Sequence, residues 1–205
     1  SLQGEGLHAG RSAVFLRLAG CSVGCPWCDT KPSWEQQAHP TRSLSDLAAE
    51  LAEAAAAGAA FAVITGGEPL EHDLDPLCAA LAARVPQLPL HLETSGAAPL
   101  RLSGRFAWIT LSPKRHRPPS PELLAACDEL KVVVHEPADL AFAQAMADQA
   151  LQARQASGGL DGAAATDGVA ATDGWGGPPA KGRRSGAGPA LLLQPGWSCR
   201  RGQEL

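Results

Sequence analysis

The sequence contains no apolar run approaching the about 20 residues that are needed to span a membrane. It also lacks the basic segment followed by an apolar one that marks a secretory signal. Positive charge is not in excess, since 17 Lys and Arg stand against 21 Asp and Glu for a net charge of −4. Proteins that coat nucleic acid have the opposite balance. We therefore expect a cytoplasmic protein with neither a membrane nor a nucleic acid as partner.

Apolar residues are not scarce, because they make up 45% of the 205 residues. This fraction is enough for a buried core and excludes full disorder. Since domains average roughly 150 residues, the length predicts a single domain over residues 1–205. Ser1 stands where a start methionine would be, and residues 200–205 do not resemble a natural chain end. We expect the chain to be truncated at both ends.

The six cysteines are too unevenly spread for the disulfide framework of a small secreted protein. Three of them, Cys21, Cys25 and Cys28, lie within eight residues of one another. The other three, Cys78, Cys127 and Cys199, are scattered through the chain. Clustered cysteines in a protein of this composition indicate a metal ion or a metal cluster.

Six short apolar runs predict buried strands, because they lack the strict alternation of strands that face water on one side. They cover residues 13–19, 61–65, 89–93, 106–111, 129–134 and 190–194. Helical patterns lie between several of them, at residues 43–58, 73–84, 121–127 and 138–155. The first of these opens with a capping pattern at Ser43 and stops at Gly58, a residue that commonly ends helices.

Alternation of strands and helices predicts a parallel sheet with right-handed crossovers. Six such units favour a partial (βα)6 barrel over an open sheet, although periodicity alone does not separate the two. Residues 157–189 interrupt this pattern before the last strand, and the word AATDG occurs twice within them. Such low-complexity sequence buries too little apolar surface to offset the entropy of ordering, and we interpret it as an insertion.

The strongest chemical signal is the C-x3-C-x2-C loop of Cys21, Cys25 and Cys28, directly after the first predicted strand. Structural zinc takes four ligands, and a fully ligated iron–sulfur cluster takes four thiolates. Three thiolates on one short loop can hold three irons of a 4Fe–4S cluster and leave the fourth iron open to another ligand. A zinc site completed by a distant cysteine or a histidine is the alternative.

Polar and glycine residues follow most of the predicted strands at their carboxyl ends. Thr65 to Pro69 (TGGEP) follow the second strand, and the sequences ETSG, SPK and QPG follow the third, fourth and sixth. In βα barrels this end of the strands carries the active site. The two glycines of TGGEP allow close approach to the backbone, and the Glu68 carboxylate can accept an ammonium group. An ordinary turn between a strand and a helix is the competing interpretation of GG.

The cluster loop followed by GGEP resembles the radical S-adenosylmethionine (SAM) superfamily. In order, LQGEG, FLRLAGC, CPWCDT, TGGEP, ETSG, SPK and LQP closely resemble the 7-carboxy-7-deazaguanine synthase family, from Leu2 to Pro195. The resemblance implies one radical SAM domain that binds a 4Fe–4S cluster, SAM and Mg²⁺. It also implies that the open iron binds SAM, which the reduced cluster cleaves to a 5′-deoxyadenosyl radical.

The resemblance further implies a carbon–nitrogen lyase that converts 6-carboxy-5,6,7,8-tetrahydropterin to 7-carboxy-7-deazaguanine with loss of ammonia. This is a step in the biosynthesis of queuosine, a modified tRNA nucleoside, and of related 7-deazapurines. The family implies a homodimer and an external one-electron donor such as flavodoxin. The pterin is the implied small-molecule substrate.

Roles for individual residues also come from the resemblance. The substrate would be bound by Leu2, Gln3, Gly4, Glu5, Arg17 and Thr65. SAM would be bound by Gly67, Glu68, Ser95, Ser112, Pro113, Lys114 and Gln194. Thr30 would bind Mg²⁺, with substrate oxygens and waters supplying the other ligands. The Arg17 guanidinium would pair with the substrate carboxylate, and its alternative role is to neutralise a neighbouring buried acid.

Two other functions remain open on the residues alone. A glycyl-radical enzyme activase is also short and also has a C-x3-C-x2-C loop, but it acts on a large protein partner. The loop from Gln3 to Glu5, together with Thr30 and the SPK motif, argues against it. A non-catalytic zinc-binding module is the second alternative, and metal analysis would separate it from an iron–sulfur protein.

Overall fold

The computed structural model describes residues 1–158 and 187–196. Its six strands are β1 (Ala13–Leu18), β2 (Phe61–Gly66), β3 (Leu90–Thr94), β4 (Trp108–Leu111), β5 (Glu129–Val134) and β6 (Ala190–Pro195). Its four α-helices are α1 (Leu44–Ala56), α2 (Asp75–Arg84), α3 (Pro121–Ala126) and α4 (Pro137–Gly158). All six predicted strands and all four predicted helices are present, with ends shifted by a few residues at most.

The six strands form one sheet in the order β1-β2-β3-β4-β5-β6, and every neighbouring pair is parallel. A doubly wound open sheet reverses its strand order at a switch point, where its ligand binds. The described sheet has no such reversal and winds steadily in one direction, with β1 and β6 as its edges. The prediction of a parallel partial barrel is therefore confirmed.

Local sequence explains where the helices begin and where one is missing. The Ser43 hydroxyl accepts a hydrogen bond from the Asp46 amide at 3.1 Å and so caps α1. Helix α1 ends before Gly58, which has a φ of 98°. The connection from β3 to β4 contains Gly96, Pro99 and Gly104, and it carries no helix. The described barrel is thus less regular than a full set of six βα units.

The two faces of the sheet differ in chemistry. Alternate strand residues such as Ile64, Leu92 and Ile109 are fully buried against the helices in the main core. The residues between them point into the barrel, because successive side chains of a strand point to opposite faces. Many of these inward residues are polar, including Thr65 on β2 and Glu93 on β3. The inner face therefore provides a binding surface in addition to packing.

The N-terminal loop, residues 1–12, lies across the base of this inner face. His8 packs against Phe61, His91 and Trp108, with ring centroids 5.4, 4.7 and 4.6 Å away. Burial lowers the pKa of His91 to about 3, so its ring is neutral at physiological pH. The Leu7 amide donates to the Glu129 carboxylate at 2.9 Å. This loop closes the lower end of the barrel beneath the functional site.

Most of the predicted insertion lies outside the described residues, as do Cys199 and residues 200–205. Ser157 and Gly158 are the last residues of α4, and residues 187–189 lead into β6. The repeated AATDG words lie outside the described residues as well. Within the described part of the chain, no helix is long and apolar enough to cross a membrane.

Candidate active site

A cleft of about 1000 Å³ opens at the carboxyl ends of the strands. This is the end of a βα barrel where catalytic sites lie, and the volume is at the upper end of small-molecule pockets. All of the predicted site residues except Pro113 line this cleft. Pro113 follows the end of β4 at Leu111 and is buried between Ser112 and Lys114, outside the lining of the cleft.

The cluster loop, residues 21–28, forms one wall of the cleft with all three of its thiols. Val23 and Cys25 are buried against Ala97, and Cys21 and Cys28 pack against the same group. Burial raises the pKa of the Cys25 thiol, the Lys114 ammonium opposes that rise, and the nearby thiols of Cys21 and Cys28 add to it. The three sulfurs are therefore electrostatically coupled neighbours on one surface.

This donor set fits a 4Fe–4S cluster better than a zinc ion. Within the described residues, no three or more His, Cys, Asp or Glu side chains are arranged around a single metal-ion position. A structural zinc site requires four ligands around one ion. In a 4Fe–4S cluster each thiolate binds a different iron, so the three sulfurs need not converge on one point.

The TGGEP motif requires glycine at both of its glycine positions, because the backbone there touches the backbone of another segment. Gly66 has a φ of 125°, and a Cβ there would collide with the backbone of Leu18. A Cβ on Gly67 would collide with the carbonyl of Gly20, next to the first cluster cysteine. The amides of Gly67 and Glu68 donate to the carbonyls of Leu18 and Gly20 at 2.7 and 2.8 Å. The motif therefore joins the end of β2 to the start of the cluster loop.

Glu68 is only 1% exposed, and its carboxylate accepts hydrogen bonds from its own chain. One oxygen accepts from Thr94 Oγ1 at 2.5 Å and from the Leu70 amide at 3.1 Å. The other accepts from the amide and the hydroxyl of Ser95 at 2.8 and 2.5 Å. Three of these four bonds hold Thr94 and Ser95 on the cleft wall. The carboxylate, which itself lines the cleft, thus positions the end of β3.

The SPK segment brings a buried cation close to the cluster loop. Lys114 Nζ donates to Ser112 Oγ at 2.8 Å, and the Ser112 amide donates to the Thr94 carbonyl at 2.8 Å. Burial lowers the pKa of Lys114, while the Cys25 thiol and the Glu68 carboxylate oppose that shift. Lys114 thus offers a positive charge beside a loop that would carry three thiolates.

The QGEG part of the N-terminal loop reaches the cleft through Gln3 and Glu5. Gln3 Nε2 donates to Glu93 Oε1 at 2.9 Å, and Thr65 Oγ1 donates to the other Glu93 oxygen at 2.9 Å. Glu5 pairs with Lys131 and accepts from Gln194 Nε2 at 2.9 Å. Burial favours the neutral acid, but these donors hold the pKa of Glu5 below its ordinary value. A connected polar floor results, formed by residues from the loop and from β2, β3, β5 and β6.

Arg17 differs from its polar neighbours because its guanidinium forms no ion pair and no hydrogen bond with the described residues. It projects into the cleft from β1 next to Thr65, with its guanidinium carbon 5.7 Å from the centre of the Phe15 ring. No salt bridge joins Arg17 to an acid within the described residues, although its charge helps to lower the pKa of Glu5. Its alternative role of neutralising a neighbouring buried acid stays a prediction. Five N–H donors remain available to a ligand.

Thr30 lies on the cleft wall just after the cluster loop. Its hydroxyl is 3.5 Å from Cys28 Sγ and forms no capping bond with the short 3-10 helix of residues 31–34 that it precedes. A structural role is the alternative interpretation of Thr30, in which it caps the turn after Cys28, but its side chain caps no backbone group of the described helix that follows. The backbone carbonyl of Thr30 stabilises this turn by accepting hydrogen bonds from the amide and the hydroxyl of Ser33.

Among the residues that line the cleft without a role predicted from the sequence are Trp27, Glu93, Lys131 and His135. Lys131 interrupts the apolar run ELKVVV in the same way as Arg17 interrupts its own strand, and that signal could have identified it. His135 directly follows β5, at the same end as the other strand-terminal motifs. Trp27 lies against it, with the ring centroids 5.3 Å apart. Glu93 is part of the ETSG motif already noted.

The comparisons with known proteins agree with this geometry. Residues 16–114, which include the cluster loop and TGGEP, match the Radical SAM superfamily model. The chain is 45% identical to a 7-carboxy-7-deazaguanine synthase of Prochlorococcus marinus over 210 residues, covering 100% of this chain and 84% of that protein. It is 49% identical to the enzyme of that name from Synechocystis over 144 residues, or 70% of this chain and 66% of that protein.

A solved structure shares the architecture. The crystal structure of QueE from Escherichia coli superposes with a TM-score of 0.65 at 27% identity, covering 100% of this chain and 83% of that one. The match therefore extends beyond the cluster-binding half to the whole described sheet. Together with the similarity to the Prochlorococcus protein along the entire chain, it establishes that this chain is a radical SAM enzyme of the 7-carboxy-7-deazaguanine synthase family.

Proposed function

We propose that this cleft converts 6-carboxy-5,6,7,8-tetrahydropterin to 7-carboxy-7-deazaguanine with loss of ammonia. The observation that carries this proposal is the Arg17 guanidinium, which lines the cleft and makes no ion pair or hydrogen bond with the described residues. A carboxylate is the ligand that best matches a free guanidinium, because the two can form parallel hydrogen bonds. The supposed substrate carries one carboxylate on an otherwise neutral bicyclic ring.

Two groups of residues at this cleft would bind the two small molecules. Cys21, Cys25 and Cys28 would hold the cluster. SAM would be bound beside it by Gly67, Glu68, Ser95, Ser112, Pro113, Lys114 and Gln194. When bound, the cluster supplies the electron that cleaves SAM to a 5′-deoxyadenosyl radical. Leu2, Gln3, Gly4, Glu5, Arg17 and Thr65 would hold the pterin on the floor formed around Glu93.

The chain's own residues would orient the reaction. Arg17 would fix the carboxylate end of the pterin, while the polar floor offers both donors and acceptors to the ring nitrogens. Holding a reactant in a near-attack geometry lowers the activation barrier, because its translational and rotational entropy is already lost on binding. An external one-electron donor such as flavodoxin would reduce the cluster, and a cytoplasmic homodimer is the assembly we propose.

The test is an anaerobic assay of the reconstituted protein with SAM, a chemical reductant and the carboxy-pterin. We expect 7-carboxy-7-deazaguanine and ammonia in equal amounts, as measured by mass spectrometry and an ammonia assay. SAM should remain undepleted over many turnovers, because it acts as a cofactor in the proposed reaction. Stoichiometric 5′-deoxyadenosine without a pterin-derived product would overturn the proposed reaction and leave the radical SAM assignment intact.

We propose further that Thr30 helps to bind Mg²⁺ through its hydroxyl, which is not used in capping. Mg²⁺ prefers hard oxygen ligands, so one hydroxyl forms a site only when substrate oxygens join it. The Thr30→Ala variant should keep its cluster and lose most of the stimulation of turnover by Mg²⁺, whereas Thr30→Ser should retain it. The measurement is a Mg²⁺ titration of pterin turnover in the three proteins. Superimposable titration curves for wild type and Thr30→Ala would remove Thr30 from the metal site.

A further inference from the structure

The cluster loop is held from outside by side chains of two other loops, and Ser22 is the residue on which they converge. Glu71 lies in the short 3-10 helix after β2, and Arg117 lies in the connection after β4. Neither residue was identified from the sequence, and neither lines the cleft. Their contacts are therefore separate from the binding of SAM or substrate.

Glu71 holds Ser22 from one side. Its Oε1 accepts hydrogen bonds from both the Ser22 amide and the Ser22 hydroxyl, each at 2.7 Å. Arg117 holds the same residue from the other side, since its Nη1 donates to the Ser22 carbonyl at 2.6 Å and to the hydroxyl at 3.1 Å. The backbone N–H, the backbone carbonyl and the hydroxyl of Ser22 are thus all bonded to charged side chains. The next residue of the loop is held as well, because His116 Nε2 lies at hydrogen-bond distance, 3.0 Å, from the Val23 carbonyl.

The loop has little of its own structure to replace these contacts. In the described structure, residues 21–28 share a single backbone–backbone hydrogen bond, from the Cys28 amide to the Cys25 carbonyl at 3.1 Å. That bond lies at the far end of the loop from Ser22. Ordering such a segment costs conformational entropy, so a loop that is ordered in advance binds its cluster with less loss.

The placement of the Glu71 charge also marks it as a positioning group, because its carboxylate bonds to Ser22, directly after Cys21. A carboxylate next to a loop that must carry three thiolates is electrostatically unfavourable for cluster binding. Its two short hydrogen bonds to Ser22 explain its presence, because a carboxylate oxygen is a strong acceptor for both donors.

We propose that Glu71 and Arg117 are positioning residues that clamp Ser22 and thereby fix the cluster loop before the cluster binds. This inference depends on the cluster-binding role of residues 21–28 and is independent of the identity of the pterin substrate. Removal of either side of the clamp should loosen the loop and expose Cys25, which is only 8% exposed in the clamped structure.

The test measures alkylation of individual cysteines by iodoacetamide in the whole chain without its cluster, using peptide mass spectrometry. In Glu71→Ala and in Arg117→Met we expect Cys25 to react about three- to tenfold faster than in wild type. This range corresponds to the loss of hydrogen bonds from a partly exposed charged side chain. Cys78 and Cys127, which are buried elsewhere, serve as internal controls and should be unchanged. Glu122→Ala and Arg84→Met, at exposed positions in α3 and at the end of α2, are the matched control variants.

The conservative variant separates position from charge. Glu71→Gln keeps an oxygen that can accept from Ser22 and removes the negative charge, so Cys25 should react at nearly the wild-type rate. In the reconstituted protein, iron release to a chelator should follow the same order, with Glu71→Ala and Arg117→Met faster than wild type and Glu71→Gln. Cys25 rates within twofold of wild type in both truncated variants would overturn the proposal. A parallel rise at Cys78 and Cys127 would overturn it as well, because it would show global loosening.

Discussion

Replacing Cys21, Cys25 or Cys28 with alanine is expected to abolish the iron–sulfur cluster and, with it, all cleavage of SAM. The reason is that three thiolates are the minimum that holds a 4Fe–4S cluster while leaving one iron open. Wild type should contain about four irons and four acid-labile sulfides per chain after reconstitution, as expected for one such cluster. Each alanine variant should lose the charge-transfer absorption of the cluster and the production of 5′-deoxyadenosine.

The other three cysteines provide the matched controls. Cys78 and Cys127 are buried in the helical side of the core, away from the cleft, and Cys199 lies outside the described residues. Alanine at these positions should leave the iron and sulfide content unchanged. Loss of the cluster in any of the three would overturn the ligand assignment. Zinc without acid-labile sulfide in the wild-type protein would favour the non-catalytic zinc module.

Replacing Arg17 with methionine is expected to reduce kcat/KM for the carboxy-pterin by roughly 30- to 3,000-fold. Removing one member of a desolvated charge pair costs about 2–5 kcal/mol, and about 1.4 kcal/mol corresponds to a factor of ten. Methionine preserves much of the apolar stem of the side chain, so contact with Phe15 should be retained. The kcat/KM of Arg17→Lys should lie between those of wild type and Arg17→Met, because lysine keeps the positive charge but lacks the planar set of N–H donors.

A substrate analogue makes this prediction specific. When the pterin amide replaces the acid, kcat/KM of the wild type should fall by a similar factor. The kcat/KM of Arg17→Met should fall little further, because the variant has no guanidinium to lose. Slow cleavage of SAM without pterin should be unchanged in the variant, because the cluster loop is intact. Equal discrimination between acid and amide in wild type and in Arg17→Met would show that Arg17 does not bind the carboxylate.

Local sequence was sufficient to predict the elements of the fold. The apolar runs specified β1 to β6, since fully covered strands need continuous apolar sequence and have few alternatives. Ser43 and Gly58 marked the ends of α1 because capping depends on neighbouring residues alone. The spacing of Cys21, Cys25 and Cys28 was equally local, and it identified the cluster loop without reference to the rest of the chain.

Choosing between a barrel and an open sheet required the tertiary structure, because periodicity records only how a strand is covered. The consecutive strand order and uniform parallel pairing settled that question. The role of the TGGEP glycines was also beyond local reasoning. Sequence predicted close approach to a ligand, and the structure adds that Gly67 packs against the backbone of Gly20, which lies 47 positions earlier in the numbering.

The sequence by itself determined the chemistry of the site, because residue types and short spacings specify which ligands can be held. Only the tertiary structure decided which of those groups are free to act. Arg17 and Glu68 were both predicted to bind ligands. Arg17 makes no hydrogen bond within the described residues, whereas Glu68 already accepts four, from Thr94, Ser95 and Leu70. Hydrogen bonds between distant strands use up donors and acceptors, and no local pattern records which remain.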